Sequence, residues 1–279
     1  MGNIPKVLSI NDISGIGRVA LSCSIPILSA MKIQPIALPT VLLSTSTAYN
    51  DFTYLKLTEN MKQNTSHWKK LDIQFDGIMT GFIGDVEQVK VVAETIEAFR
   101  KNKPLVLVDP VMADEGKLYS VYNDSFVNSM RKLILKADVI TPNVTEASLL
   151  LEDNADLDNL SEAKVKKWAK DLSKLGPSIV IITSVRDELS DKNICVLAYD
   201  SKKDLYYKAT SKLIPISYPG TGDTFTSVVM GALMKNYSLQ ETLNLAVEFM
   251  SNSIQQTYNA GTDIREGILF ENSLDLLMD

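Results

Sequence analysis

Short runs of β-branched and aliphatic residues alternate with longer amphipathic segments along almost the whole chain. The short runs predict strands, and the amphipathic segments predict helices because their apolar residues recur every three or four positions. This alternation is typical of an α/β fold, in which helices cover both faces of a mainly parallel sheet. Predicted strands are 7–10, 34–38, 77–80, 105–109, 139–140, 179–183, 194–199 and 205–209, and predicted helices are 18–32, 61–71, 86–101, 122–135, 144–151, 161–174, 223–235, 239–257 and 266–277.

The last two predicted strands follow each other without an intervening helix. Only the polar segment 200–204 separates them, so they are expected to form an antiparallel hairpin at an edge of the sheet. No repeat, linker or low-complexity tract interrupts the pattern elsewhere. Residues 1–279 are therefore expected to form a single domain.

Composition narrows the class of protein. The chain has 279 residues, of which 45% are hydrophobic and 22% charged, and its formal net charge is -6. This balance favours a soluble globular protein and gives no electrostatic reason to bind nucleic acid or an anionic membrane. Because the apolar runs are too short to span a bilayer and no signal pattern is present, a cytoplasmic protein is expected.

Cysteine and histidine are scarce, which excludes several kinds of site. Cys23 lies in a predicted helix and Cys195 in a predicted strand, so two buried free thiols are expected rather than a disulfide framework. His67 is the only histidine and falls in a polar amphipathic segment, which predicts a surface position. A histidine-rich zinc site and Ser-His-Asp chemistry are both disfavoured.

The segment 219–226, Pro-Gly-Thr-Gly-Asp-Thr-Phe-Thr, places two glycines and an aspartate before a predicted helix. Gly220 and Gly222 are expected to take positive φ and to leave the peptide N–H groups accessible to a ligand. These groups would lie at the positive end of the helix dipole and bind an anion. Asp223 would repel that anion, so two interpretations stay open: a general base that takes the proton of a substrate hydroxyl, or an ordinary helix cap.

Polar residues also follow four of the predicted strands, at 9–12, 79–85, 109–114 and 140–146. Ligands of parallel α/β sheets collect at this edge, beyond the carboxyl ends of the strands. Asp109 directly follows a buried strand, and Glu146 begins the helix after the next one. Two such carboxylates suit Mg²⁺, which also takes water and phosphate oxygens. Glu146 has an alternative role, as the capping-box partner of Asn143.

Several motifs together resemble the ribokinase-like superfamily of small-molecule kinases. They are Thr-Pro-Asn-Val-Thr-Glu at 141–146 and Gly-Thr-Gly-Asp-Thr-Phe at 220–225. The stretch 109–119, Asp-Pro-Val-Met-Ala-Asp-Glu-Gly-Lys-Leu-Tyr, and Thr-Gly-Phe-Ile-Gly at 80–84 look like segments of the vitamin B6 kinases. The matches run the length of the chain in the right order. The resemblance implies a three-layer α-β-α fold and ATP-dependent phosphorylation of the 5'-hydroxymethyl group of a B6 vitamer.

Carried over residue by residue, the resemblance assigns the phosphoryl-transfer machinery. Asp223 becomes the base, and the backbone amides of the turn at 220–223 become the anion hole. Asp109 and Glu146 match magnesium positions, and a monovalent cation such as K⁺ and a homodimer are also implied. The matched positions are Gly220, Thr221, Gly222 and Asp223 for catalysis, and Asp109, Asp114, Asn143, Glu146, Thr183 and Ser184 for ATP and Mg²⁺, with Asp114 in a segment that closes over the nucleotide.

The acceptor side departs from the B6 kinases at two positions. Phe82 stands where they usually have tyrosine, and its ring face still allows stacking on a pyridine. Asp12 stands where they usually have serine, and it is interpreted as an acceptor for a ring hydroxyl or a protonated amine, or else as a helix N-cap. The hydroxymethylpyrimidine kinases of thiamine synthesis share the 220–225 turn and remain an alternative, as does, less favoured, a non-catalytic ligand-binding homologue. The predicted acceptor contacts are Ser9, Asn11, Asp12, Ser44, Thr47 and Phe82.

Overall fold

The computed structural model describes residues 4–278, and within them nine strands form one mixed sheet. The strands of the chain are β1 (Lys6–Ser14), β2 (Gln34–Leu43), β3 (Tyr54–Lys56), β4 (Gly77–Thr80), β5 (Leu105–Val108), β6 (Ala113–Asp114), β7 (Lys117–Leu118), β8 (Val139–Ile140), β9 (Ile179–Arg186), β10 (Asn193–Asp200) and β11 (Leu205–Lys212). The sheet order is β11-β10-β9-β8-β5-β4-β1-β2-β3, and β6 pairs with β7 in a separate ribbon.

Six neighbouring strands of the sheet, from β9 to β2, are parallel. Their carboxyl ends therefore meet at one edge, as the sequence predicts. Strand β10 is antiparallel to both β9 and β11, which confirms the predicted edge hairpin. Because the direction reverses twice, β11 runs the same way as β9 and also ends at the ligand edge.

Helices cover both faces of the sheet, which confirms the three-layer architecture. Alternate strand residues face opposite cores: Val7 packs with α1, α7 and α8, whereas Leu8 packs with α2 to α6. The helices are α1 (Ala20–Ala30), α2 (Thr58–Lys70), α3 (Val86–Phe99), α4 (Asp124–Ile134), α5 (Val144–Leu151), α6 (Glu162–Ser173), α7 (Thr221–Met234) and α8 (Leu239–Ala260), and 3₁₀ turns lie at Arg100–Asn102, Leu157–Asn159, Ile264–Glu266 and Phe270–Leu277.

The helix predicted at 266–277 is shorter than expected and is a 3₁₀ helix, Phe270–Leu277, rather than an α-helix. It is separated by Gly267, which has φ +80°, from the 3₁₀ turn at Ile264–Glu266. Its buried residues Phe270, Ser273 and Leu277 follow helical spacing, so periodicity alone could not distinguish the two kinds of helix. The short strand β3 and the ribbon β6–β7 were not predicted, because they are too short to show alternation.

The predictions for cysteine and histidine are confirmed. Cys23 in α1 and Cys195 in β10 are free and buried, and His67 is exposed on α2. Within residues 4–278, no helix is long and apolar enough to cross a membrane.

Candidate active site

The glycine turn forms the N-terminus of α7 at the ligand edge of the sheet. Gly220 is the N-cap residue and has φ +82°, as predicted, and a Cβ there would lie 2.1 Å from the Arg18 carbonyl oxygen. The first helical backbone bond runs from the Thr224 N–H to the Gly220 carbonyl at 3.0 Å. The N–H groups of Thr221, Gly222 and Asp223 precede that bond and have no partner within the helix. They are thus available to an anion.

Gly222 does not take the positive φ that the sequence suggested. It lies in the first turn of α7 with helical backbone, and it is exposed. A Cβ at this position would point toward Asp109, 3.8 Å from its Oδ2. Glycine is therefore useful here because it leaves space between the helix N-terminus and that carboxylate, rather than because of its backbone freedom.

Asp223 does not cap its own helix. Its Oδ1 accepts a hydrogen bond from Asn11 Nδ2 at 2.7 Å, and its Oδ2 accepts one from the Ala20 N–H at 2.9 Å. Burial raises the pKa of Asp223, and the bonds from Ala20 and Asn11 oppose that rise. The capping interpretation is wrong, and the carboxylate is held instead by residues of β1 and α1 at the entrance to the turn.

Asn11 connects three parts of the site. Besides its bond to Asp223, its Oδ1 accepts the N–H groups of Phe82 at 2.7 Å and Asp12 at 2.9 Å. Asn11 is only 1% exposed, and because alternate strand residues share a face, it lies on the same face of β1 as Val7, toward α7. A Cβ at Gly81 would lie 2.2 Å from Asn11 Nδ2, so the chain needs glycine beside this amide.

Asp12 is a buried carboxylate of β1, and it is not a helix N-cap. It is 6% exposed, and Ser14 Oγ donates a hydrogen bond to its Oδ2 at 3.2 Å. Burial raises the pKa of Asp12 to about 7, and the negative charge of Asp223 adds to the rise. Residues 4–278 place no lysine or arginine in a salt bridge with Asp12.

Asp109 follows β5 and turns toward α7. Its Oδ2 accepts a hydrogen bond from Thr226 Oγ1 at 3.0 Å, and Thr226 Oγ1 lies 3.2 Å from Thr141 Oγ1. Burial raises the pKa of Asp109 to about 7, and the Asp223 charge raises it further, against the hydrogen bonds of Thr226 and Thr141. Asp109 therefore lies beside the N-terminus of α7, as predicted.

Glu146 caps α5 and also holds the segment that follows Asp109. Its Oε2 accepts the Asn143 N–H at 2.9 Å, Asn143 Oδ1 accepts the Glu146 N–H at 2.9 Å, and Glu146 Oε1 accepts the Met112 N–H at 3.0 Å. The capping box that the sequence left open is thus present. Burial, followed by the Asp109 charge, raises the pKa of Glu146 well above its usual range, against hydrogen bonds from three backbone N–H groups.

The chemistry of this corner fits a divalent cation. Asp109 and Glu146 are buried carboxylates, the charge of Asp223 opposes the ionisation of Asp109 and that of Asp109 opposes the ionisation of Glu146, and a cation would lower both costs. Within the described residues, no group of three or more His, Cys, Asp or Glu side chains could hold a metal ion. Mg²⁺ suits a site with one or two carboxylates because it draws its other ligands from water and phosphate oxygens.

The remaining predicted nucleotide residues lie around this corner. Asn143 Nδ2 donates to the Ala113 carbonyl at 2.8 Å, and Asn143 pairs with Thr183 in an isolated parallel bridge. Ser184 is exposed and has φ +60°, a left-handed conformation that is unusual for serine. Asp114 is exposed in the β6–β7 ribbon, which Thr145 anchors by accepting the Gly116 N–H at 3.0 Å.

The predicted acceptor residues divide into buried and exposed positions. Ser9 is 1% exposed, and its Oγ has no hydrogen-bond partner. Ser44 and Thr47 are exposed in the loop after β2, where Ser44 Oγ accepts the Thr53 N–H at 2.9 Å. Ser46, which was not predicted, is buried between them and its N–H bonds to the Ile16 carbonyl at 2.8 Å.

Aromatic residues beyond Phe82 line the acceptor side, and the sequence did not identify them. The Phe82 ring lies 5.8 Å from that of Tyr122, which donates its hydroxyl to the Ile83 carbonyl at 2.7 Å. Burial raises the pKa values of Tyr54 and Tyr122, and the charge of Asp12 is among the smaller causes of the rise in both. Burial raises the pKa of Tyr119, and Glu146, Asp109 and Asp223 add to it.

A groove of about 370 Å³ lies between β11 and α8. The groove lies along the last four residues of β11, so it is located at the ligand edge of the sheet. Thr210, Lys212, Asn244, Glu248 and Asn252 are among its lining residues.

A family model described as phosphomethylpyrimidine kinase matches residues 28–267. The chain belongs to this family of kinases. The kinase is thus a phosphotransferase that acts on an alcohol group, and the predicted ribokinase-like fold is confirmed.

Solved structures resemble this kinase over nearly its whole length. One from Bacteroides thetaiotaomicron, described as a putative phosphomethylpyrimidine kinase, is 42% identical, has a TM-score of 0.95, and covers 99% of this chain and 94% of its own. An orthorhombic crystal form of that protein contains pyridoxal. The pyridoxal kinase of Lactobacillus plantarum is 29% identical, with a TM-score of 0.89, and covers 99% of this chain and 97% of its own. The predicted resemblance to vitamin B6 kinases is thereby confirmed.

Some curated relatives are longer than the part they share with this kinase. A bifunctional thiamine biosynthesis enzyme of Arabidopsis thaliana is 29% identical over 184 residues, which are 66% of this chain and 34% of that enzyme. The pyridoxal kinase of Dictyostelium discoideum, in contrast, is 26% identical over 275 residues, 93% of this chain and 89% of its own.

Proposed function

We propose that this kinase transfers the γ-phosphoryl group of ATP to the 5'-hydroxymethyl group of a vitamin B6 vitamer, yielding a 5'-phosphate. The proposal rests mainly on one observation: the Asp223 carboxylate lies at the N-terminus of α7, where the N–H groups of Thr221, Gly222 and Asp223 have no partner within the helix. A carboxylate held beside an anion-binding helix N-terminus suits a reaction that deprotonates a hydroxyl and stabilises a phosphoryl group. Residues 1–279 act in this proposal as one kinase domain.

The mechanism follows from the places of these groups. Asp223 accepts the proton of the acceptor hydroxyl as its oxygen attacks the γ-phosphorus in line with the leaving oxygen. The N–H groups of Thr221, Gly222 and Asp223 bind the oxygens of the transferring group. Mg²⁺ held by Asp109 and Glu146 would neutralise charge on the triphosphate. The segment 110–120 closes over the site and excludes water.

The acceptor pocket supports a pyridine substrate. Phe82 and Tyr122 offer ring faces for stacking, and the buried Asp12 offers a carboxylate to a ring hydroxyl or a protonated amine. The 42% identical neighbour with pyridoxal supports the same assignment. A more distant pyridoxal kinase, from Leishmania donovani, is known in complex with ADP and pyridoxamine.

The groove between β11 and α8 is the proposed position of the nucleotide base. It lies at the same edge of the sheet as Thr183 and Ser184, and Thr183 pairs with Asn143 next to the carboxylates Asp109 and Glu146. ATP would then extend from this groove to the N-terminus of α7. A homodimer and a K⁺ ion near the turn, both implied by the family resemblance, and a cytoplasmic location, expected from the sequence, complete the proposal.

Hydroxymethylpyrimidine is the second candidate acceptor. The family model carries the name phosphomethylpyrimidine kinase, and a Bacillus subtilis relative, 28% identical over 192 residues, is a hydroxymethylpyrimidine/phosphomethylpyrimidine kinase. A ring amine of such a pyrimidine would also suit Asp12.

Initial rates with pyridoxal, pyridoxamine, pyridoxine and hydroxymethylpyrimidine, with ATP and Mg²⁺, test the proposal. We expect kcat/KM for the best B6 vitamer to exceed that for the pyrimidine by roughly tenfold or more, since a misfitted polar ring costs about one to two hydrogen bonds. A higher kcat/KM for the pyrimidine would reject the B6 assignment. The variant Asp12→Ser should lower kcat/KM for pyridoxamine about 10-fold relative to pyridoxal, because a charge-assisted bond is lost.

A further inference from the structure

Both polar atoms of the Asn11 side chain make hydrogen bonds within the protein, three bonds in all. Its Oδ1 accepts two backbone N–H groups, from Phe82 and Asp12, and its Nδ2 donates to Asp223 Oδ1. Two donors at Oδ1 fix the orientation of the amide, because a flipped amide would direct its N–H groups at theirs. The Nδ2 group must therefore face Asp223. The sequence assigned Asn11 to the acceptor, and these bonds indicate another role.

We propose that Asn11 is a positioning residue, which orients the Asp223 carboxylate and ties it to the strand ends that form the acceptor pocket. This inference rests on the proposed function, because it takes Asp223 as the base. The bond fixes one carboxylate oxygen, and the Ala20 N–H fixes the other at 2.9 Å. Both donors come from segments far from Asp223 along the chain.

The backbone on both sides of this contact is adapted to it. Ala20 holds its N–H toward Asp223 with φ +51°, a left-handed conformation that is unusual for alanine. At Gly81, a Cβ would lie 2.2 to 2.7 Å from the Asn11 amide atoms. Gly81 itself does not have positive φ. Glycine at position 81 is thus required by space, and Gly81→Ala displaces Asn11 without straining the local backbone.

Asn11→Asp is the sharpest test, because it changes one bond of the three. The new carboxylate still accepts the Phe82 and Asp12 N–H groups, while an oxygen replaces the donor that faces Asp223. We expect kcat to fall roughly 10²-fold, the cost of a misplaced reactive group, with the acceptor KM within about threefold of wild type.

The pH profile supplies a readout that a general loss of packing would not move. The titratable groups facing Asp223 are Asp12 on β1, Asp109 after β5, Cys23 on α1 and Tyr119 after β7. Asn11→Asp adds a carboxylate beside Asp223, whereas Gly81→Ala changes no titratable group, so a shift of the acidic limb of kcat/KM toward higher pH in Gly81→Ala reports the lost hydrogen bond to Asp223. Gly77→Ala is the matched control, since its Cβ meets the flexible end of Met230 at the other end of β4.

Four variants, Asn11→Asp, Gly81→Ala, Gly77→Ala and Asp223→Asn, are measured together for Tm, kcat, acceptor KM and pH profile. The expected result is a low kcat, a near-normal KM and a shifted acidic limb in the first two variants alone. A rise in acceptor KM with unchanged kcat for Asn11→Asp would overturn the inference and restore Asn11 as an acceptor contact. Near-normal turnover of Asp223→Asn would instead reject Asp223 as the base, which is the part of the proposed function on which this inference rests. If Asn11→Asp does not fold, Gly81→Ala decides by the same criteria.

Discussion

Asp223 is half-buried and Glu146 is buried, both at the ligand edge of the sheet, and the chain holds these two carboxylates by different means. The bonds to Asp223 come from Asn11 and Ala20, 212 and 203 positions away. Glu146 bonds to Asn143, three positions away, and to Met112, 34 positions away. The site formed by Asp223, Asn11 and Ala20, here called the base corner, therefore forms only when β1, α1 and α7 have assembled. The capping box of α5, in contrast, is specified by residues that are close in sequence.

This difference suggests that Asp223 serves mainly the reaction, whereas Glu146 serves both the reaction and the local structure. The oxygens of Asp223 receive one long-range donor each, which fixes the orientation of the carboxylate that we propose as the base. The oxygens of Glu146 receive the N–H groups that begin α5 and that shape the segment after Asp109. We therefore expect substitutions of Asp223 to act mainly on turnover and those of Glu146 to lower the stability of α5 and of the segment after Asp109 as well.

The largest effect is expected for Asp223→Asn. Asparagine keeps the size of the side chain and can still accept one hydrogen bond, but it cannot take the proton of the acceptor. Removal of a general base lowers rates by roughly 10²–10⁴-fold, so kcat should fall on that scale while ATP binding persists. Steady-state rates and calorimetric titration with ATP and Mg²⁺ measure the two quantities. Turnover within threefold of wild type would end the assignment of Asp223 as the base.

The second prediction contrasts the two carboxylates of the metal corner. Asp109→Asn should raise the Mg²⁺ concentration for half-maximal rate about 10–100-fold and leave the free energy of unfolding little changed. Glu146→Gln should also weaken the binding of Mg²⁺. In addition, its amide group would face backbone N–H groups that need acceptors, so the free energy of unfolding should fall by about 1–3 kcal/mol. Rates at varied Mg²⁺ and urea unfolding without metal test this. Equal stability losses in the two variants would remove the contrast.

The same contrast explains what the sequence could predict. Alternation and strand ends placed Asp109, Glu146 and the 220–223 turn at one edge, because these signals are local. The contact of Asn11 with Asp223 and the aromatic residues Tyr54 and Tyr122 depend on tertiary packing, for which the sequence has no short-range signal. Gly222 was misjudged for a related reason: its use lies in the space toward Asp109, and backbone propensity carries no information about that neighbour.

The last prediction concerns Asp12, whose carboxylate receives a hydrogen bond from the nearby Ser14 and none from a distant segment of the described chain. Burial raises its pKa to about 7 from 3.8, with the Asp223 charge as the second cause. The folded protein therefore favours the protonated carboxyl. Its contribution to stability is fully present below about pH 4 and is lost as the pH rises through about 7.

Asp12→Asn removes this titration and leaves an amide in the same place. The free energy of unfolding of the variant, relative to wild type, should therefore rise between pH 4 and pH 8, by an amount on the order of 1–4 kcal/mol at about 1.4 kcal/mol per pKa unit. Urea unfolding with a chelator and without substrates measures the difference, and Asp191→Asn, in the exposed turn between β9 and β10, serves as the control. A difference that does not change with pH would mean that Asp12 stays ionised in the free protein. The carboxylate would then be ready for a cationic acceptor before that acceptor binds, whereas a pH-dependent difference means that a protonated amine must first draw the proton from Asp12.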